Sequence, residues 1–238
     1  MEAQTFSFGH LPTFSRLAAL ATLSNGDLAK LEAAGRSARI VPARREVDMY
    51  EKGVRRSLLL MDGWAYRMHL LSDGRRQILQ FLLPGDLIDN LEAQDANGPA
   101  SLTALTDIAV CVAPGADEDG SGLESAYASS RRLERGYLFR QITRLGRLSA
   151  YERIVDWLCE MHERLALSGC CEGNRMTIPL TQEIIADAVG LTSVHVNRTL
   201  QALRRDRLIQ VNGRTITFLD HTTCQSLVNR PQGSAVLA

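Results

Sequence analysis

Apolar positions along the chain change period three times, and each change predicts a different kind of element. From about Phe14 to Gly35, Leu17, Leu20, Leu23, Leu28 and Leu31 recur around a Ser24-Asn25-Gly26-Asp27 break. That spacing predicts two short helices, with Ser24 or Asn25 capping the second. From Ala38 to Val112 the helical period gives way to short apolar runs: Leu58-Leu59-Leu60-Met61, Ile78 to Leu83, and Ile108 to Val112. Turn dipeptides at Asp62-Gly63, Asp73-Gly74 and Pro84-Gly85 punctuate this stretch, their glycines spaced eleven residues apart. No helix-length crossover fits between such runs, so they predict an antiparallel jelly roll and not a parallel sheet.

Past Pro114, the composition of Gly115 to Gly122 reads as a loop, and a helical period then returns without proline as far as about Leu167. Leu138, Ile142, Leu145 and Leu148 form one stripe, and Ile154, Trp157, Leu158, Met161 and Leu165 a second. Two successive helices are expected to meet near Ser149, which stands three residues before Glu152 in capping-box spacing. The first stripe either packs on its own domain or pairs with its copy in a second subunit. The dimer reading makes Leu138, Ile142 and Leu145 the dimer helix residues.

Residues Leu180 to Arg214 carry the most specific pattern. Thr181 caps a short helix over Gln182–Val189, Gly190 supplies a turn, and Leu191-Thr192-Ser193 leads into a second helix from about Val194 to Asp206. Ile185, Val189, Leu191, Val196, Leu200 and Leu203 fall where the two helices share a core, and Ala186 is small at their crossing. Beyond lie Leu208 to Val211, an Asn212-Gly213 turn and Arg214 to Phe218, a hairpin signal that completes a winged helix-turn-helix.

Composition sharpens this reading. In 238 residues, 45% hydrophobic and 23% charged, Lys+Arg and Asp+Glu both total 27, so no global charge draws the chain to nucleic acid or to a membrane. Between Ser193 and Arg214, however, five arginines face one acid, Asp206, a local net of +4. That patch predicts double-stranded DNA as partner. Ser193, Val194, His195, Asn197 and Arg198 are the candidates for base edges, with Arg198 best matched to the paired acceptors of guanine. Thr181, Gln182, Arg204, Arg205 and Arg214 are the candidates for phosphates. Asn197 and His195 have a second reading, in which they only cap or solvate the helix.

No stretch approaches a membrane span, and Met1 to Leu20 lacks the pattern of a signal peptide, so a cytoplasmic protein is expected. Cys111, Cys159, Cys170, Cys171 and Cys224 are expected to be reduced. No metal site is expected, because the β-rich domain offers His69 alone, with His10 far away before the first helix. The same scarcity of ligands argues against a metal-dependent enzyme, and no enzyme activity or bound cofactor is expected.

In this order the elements resemble the bacterial Crp/Fnr family of transcription regulators over nearly the whole chain. Pro84-Gly85-Asp86-Leu87-Ile88 and Leu191 to Leu200 carry the resemblance, and Gly74-Arg75-Arg76-Gln77-Ile78-Leu79 looks like the branch without cyclic-nucleotide binding. The resemblance implies an α+β fold: a jelly-roll, cyclic-nucleotide-binding-like domain over 1–114, a hinge loop and dimerisation helix over 115–148, and a winged helix-turn-helix over 149–228. Residues 229–238 read as a disordered tail. In members that bind cyclic AMP, a Glu holds the ribose and an Arg the cyclic phosphate. This chain has Asp89-Asn90 and Gly98-Pro99 near those places, so no cyclic nucleotide is expected. No cysteine precedes Cys111, which leaves an iron–sulfur cluster short of ligands, while His69 stays open as a haem ligand. The expected protein is a homodimer on a near-palindromic operator, with RNA polymerase as a further partner implied by the resemblance. The rival is a β-roll module that binds a partner or ligand, with weak DNA preference.

Overall fold

The computed structural model describes residues 12–51, 53–88, 101–115 and 121–230. Asp89-Asn90, Gly98-Pro99, His10, residues 116–120 of the hinge loop and the tail from 231 onward lie outside them. By compactness the chain forms two units, one of Met1–Ala65 with Leu82–Arg132, the other of Tyr66–Phe81 with Leu133–Ala238.

The first unit opens with α1 (Pro12–Leu20) and α2 (Asn25–Arg36). Ser24 is the cap of α2: its hydroxyl accepts from the Asp27 amide while the Asp27 carboxylate accepts from the Ser24 amide, a full capping box. Strands follow as β1 (Arg39–Val41), β2 (Tyr50–Glu51), β3 (Val54–Arg55), β4 (Leu58–Asp62), β5 (Ala65–Leu70), β6 (Arg76–Leu82), β7 (Leu87–Ile88), β8 (Ser101–Ala104) and β9 (Ile108–Val112), of which β5 and β6, between Tyr66 and Phe81, belong to the second unit. One antiparallel sheet has the order β1-β9-β4-β7, so sequence-distant strands are neighbours, as in a jelly roll. Leu58, Leu60, Ile88, Leu102, Ile108 and Val110 belong to its buried core.

The Pro84-Gly85-Asp86 turn is fixed to α1. Arg16 and Asp86 form a buried ion pair at 2.6 Å, and the other Asp86 carboxylate oxygen accepts from the Leu83 amide. Gly85 is required there: its φ is 89°, and a Cβ would stand 2.6 Å from the Arg16 side chain.

The second unit contains most of α3 (Gly122–Arg147), then α4 (Ala150–Leu167), β10 (Cys171–Glu172), β11 (Arg175–Thr177), α5 (Gln182–Val189), α6 (Ser193–Arg205), β12 (Ile209–Asn212), β13 (Thr215–Phe218) and α7 (His221–Leu227). Ser149 caps α4 with a second capping box to Glu152, which ends one helix and starts the next where the sequence places the break. Trp157, Leu158, Met161 and Leu165 are buried along α4. The wing is larger than its hairpin, because β10 and β11 extend the sheet to the order β10-β11-β13-β12. Its turn also falls one residue later than expected. Asn212 pairs with Thr215, which leaves Gly213 and Arg214 at the tip, Gly213 with φ 59°.

Candidate nucleic-acid interface

The two helices of the helix-turn-helix are joined by elements that each satisfy a local demand. Thr181 accepts from the Ile184 amide and caps α5, and Gly190 ends it in the left-handed region at φ 65°. Thr192 then caps α6, accepting from the His195 amide. Ile185, Ala186, Val189, Val196 and Leu203 are buried between the helices, while Leu191 and Leu200 are half-buried. The α6 cap and the buried Val196, Thr199 and Leu203 fix the rotation of that helix, which turns its opposite face outward.

On that outward face Ser193, Val194, His195, Asn197 and Arg198 are all exposed, as are Arg204 and Arg205 in the last turn. Thr181 and Gln182 are exposed at the start of α5, and Arg214 at the wing tip. All ten candidate DNA-contacting residues are therefore open to solvent. Among the described residues, no carboxylate pairs with Arg198, Arg204, Arg205 or Arg214. The His195 ring is tied into the cap, with Nδ1 3.2 Å from the Thr192 hydroxyl. Asp206, the single acid of this stretch, accepts a 2.8 Å hydrogen bond from Tyr151.

The stripe expected on α3 is only partly as predicted. Leu138 and Ile142 are exposed, at 39% and 68%, but Leu145 is half-buried and packs toward the Gly190 turn. Phe139, absent from the expected stripe, is 63% exposed beside them. The helix is thus rotated so that its open apolar face runs through Leu138, Phe139 and Ile142.

A buried ionic network joining α3 to α4 escaped the sequence reading altogether. Asp156 accepts from Arg140, Arg144 and Arg230, and Glu160 pairs with Arg144 at 2.5 Å. Burial alone would raise the Asp156 carboxyl, but the neighbouring Arg144 and Arg230 guanidinium groups and its hydrogen bonds outweigh that and hold it below the usual carboxylate range. Arg230 also pairs with Glu163 at 2.7 Å, which corrects the expected start of the tail: this residue is anchored.

All five thiols are free, and burial pushes the Cys171 thiol up to about 12. Among the described residues no cluster of three or more His, Cys, Asp or Glu could hold a metal ion, and His69 is half-buried on β5. No described helix is long and apolar enough to cross a membrane.

A sheet domain followed by long helices and a winged helix-turn-helix with an open basic face defines a DNA-binding regulator. Residues 152–223 match the Crp-like helix-turn-helix domain. The nitrogen fixation regulation protein FixK of Bradyrhizobium diazoefficiens is 31% identical over 177 residues, covering 71% of this chain and 72% of that protein. The transcriptional activatory protein AadR of Rhodopseudomonas palustris is 32% identical over 171 residues, 68% of each chain. The solved structure of FixK2 from Bradyrhizobium japonicum, 26% identical, superimposes with a TM-score of 0.63 over 83% of this chain and 99% of that one. The chain belongs to the Crp/Fnr family of transcription regulators, a class of DNA-binding proteins and not of enzymes.

Proposed function

We propose that the protein acts in the cytoplasm as a homodimer that reads a near-palindromic operator with one α6 helix per half-site. The observation that carries this reading is the exposed basic surface of α6 and the wing, where the stretch from Ser193 to Arg214 holds a net +4 in a chain whose overall charge is zero. Ser193, Val194, His195, Asn197 and Arg198 stand on the first two turns, the part of a recognition helix that reaches base edges. Arg204, Arg205 and the wing-tip Arg214, with Thr181 and Gln182, hold phosphates and set the register. The exposed Leu138, Phe139 and Ile142 supply the self-complementary face that a two-fold dimer needs. RNA polymerase is the further partner that membership of the family suggests.

The test is selection of random duplex DNA by the purified protein with no effector added. Enrichment of a two-fold symmetric site, bound with a steep loss of affinity as salt rises, is the expected result. Recovery of no sequence, or binding indifferent to salt, refutes the reading and favours a partner-binding role for the β-roll.

A further inference from the structure

From Tyr66 to Phe81 the β5–β6 hairpin belongs to the same compact unit as the helix-turn-helix, and its Gln77 side chain meets that motif at one spot. That spot is the C-terminal end of α5. A helix end leaves its last carbonyls without intrahelical donors and carries partial negative charge. Here the Gly190 and Leu191 amides both return to the Ala186 carbonyl, so the carbonyls of Asp187, Ala188 and Val189 must find donors elsewhere. They find them on three other elements. Gln77 of β6 donates to Asp187 at 2.8 Å and to Ala188 at 3.2 Å, Gln141 of α3 donates to Ala188 at 2.6 Å, and Arg153 of α4 reaches Val189 at 3.4 Å. Next to Gln77, the Arg76 guanidinium pairs with Asp187 and lies 3.5 Å from Glu183, both on α5.

The rest of the hairpin is held as firmly. Gln80 donates to Glu134 of α3 at 2.8 Å, and Arg164 of α4 donates to the Phe81 carbonyl at 2.8 Å. Phe81 also meets Trp157 edge to face at 5.9 Å. The hairpin is therefore a strut with one end on α3 and α4 and the other on α5.

We infer that Arg76 and Gln77 are positioning residues for DNA recognition: by gripping the end of α5 they fix the angle at which α6, packed on α5, is presented. The inference rests on the DNA-binding reading above. Its direction follows from exposure. With the grip closed, Ser193, Val194, His195, Asn197 and Arg198 remain open to solvent, so the gripped arrangement is compatible with DNA. Releasing the grip spreads α5 and α6 over other angles, and apparent affinity falls with the fraction of molecules still aligned.

The experiment compares the parent with Gln77→Ala, Arg76→Gln, Asp187→Asn and the Arg76→Gln/Asp187→Asn double variant as full-length proteins, each checked for an unchanged melting temperature. On the selected operator, Gln77→Ala and Arg76→Gln are expected to bind about five-fold or more weakly, the lower end of ordinary site-to-site coupling. Their salt slope is expected to match the parent, and the double variant to lose no more than the weaker single one. A slope reduced by about one per lost contact in Arg76→Gln makes that residue a phosphate contact and overturns the assignment. Binding within two-fold of the parent by every variant overturns it equally. Amide hydrogen exchange decides the grip without DNA: faster exchange at residues 186–191 in Gln77→Ala is expected, and an unchanged rate refutes the grip. A parent that selects no duplex refutes the proposed function, while the exchange result still stands or falls on its own.

Discussion

Asp156 carries more consequence than any other residue outside the interface. Its side chain has no exposure, and three arginines, two from α3 and one from the segment after α7, converge on it. Replacing Asp156 with Asn leaves the Arg144 and Arg230 guanidinium groups buried beside a neutral amide, a loss on the order of 3–5 kcal/mol, read by denaturant melts at neutral pH. The pH dependence has a definite sign. The folded carboxyl titrates below its ordinary value of 3.8, so its stabilisation is complete above that value and is lost as pH falls through the lower folded one. Asp156→Asn is expected to flatten that part of the acid limb; an acid limb identical to the parent's refutes the assignment. Arg198 makes the contrasting case, exposed and unneeded for the fold. Arg198→Ala is expected to keep the parent's melting temperature and lose roughly 1–3 kcal/mol of discrimination at one base pair, seen as relaxed selection at a guanine. Retained selectivity at that position refutes its role.

At the level of elements, what was legible in the sequence is what is local. The Ser149–Glu152 capping box is written in a three-residue spacing and the Gly190 turn in a single residue type, whereas the break at Ser24-Asn25 left two candidate caps, and the structure shows Ser24 boxed with Asp27. The missed features join residues far apart. Gln77 and Asp187 lie 110 positions from each other, and Asp156 and Arg230 lie 74 apart, so no periodicity announces either contact. Strands β10 and β11 escaped because two and three residues cannot display an alternation. The α3 stripe shows the intermediate case. Its helical period was readable, but its rotation depends on Leu145 being taken up by the Gly190 turn, a tertiary contact. That rotation gives the proposed dimer a sharp test. Ile142→Glu places a charge at the centre of the Leu138, Phe139 and Ile142 face, where each large apolar side chain buried on pairing is worth about 1.5–3 kcal/mol. Light scattering is expected to give a monomer for Ile142→Glu and a dimer for the parent. A variant that stays dimeric removes α3 from the interface.

For the whole molecule, zero net charge separates two sources of DNA affinity that a basic protein would confuse. With no global attraction, salt dependence counts local phosphate contacts. Arg204, Arg205 and Arg214 give three charged contacts per protomer, six in the proposed dimer, and about 0.9 of slope for each predicts a slope near −5 in log affinity against log salt. Arg214→Ala removes one contact from each protomer and is expected to lower the slope by about 2, weakening all sequences alike because a wing-tip phosphate contact reads no base. A dimer also fixes spacing, since two recognition helices related by a two-fold axis need half-sites about one helical turn, roughly 34 Å, apart. Five base pairs inserted between the half-sites turn one of them to the opposite face of the duplex. One protomer then holds the DNA while the other hangs free, and the slope is expected to fall to about half, near −3. Titrations of the selected operator and its lengthened version across a salt series read both numbers together. A slope that stays near −5 on the lengthened site would show that the protomers bind independently, and would remove the two-fold constraint from recognition.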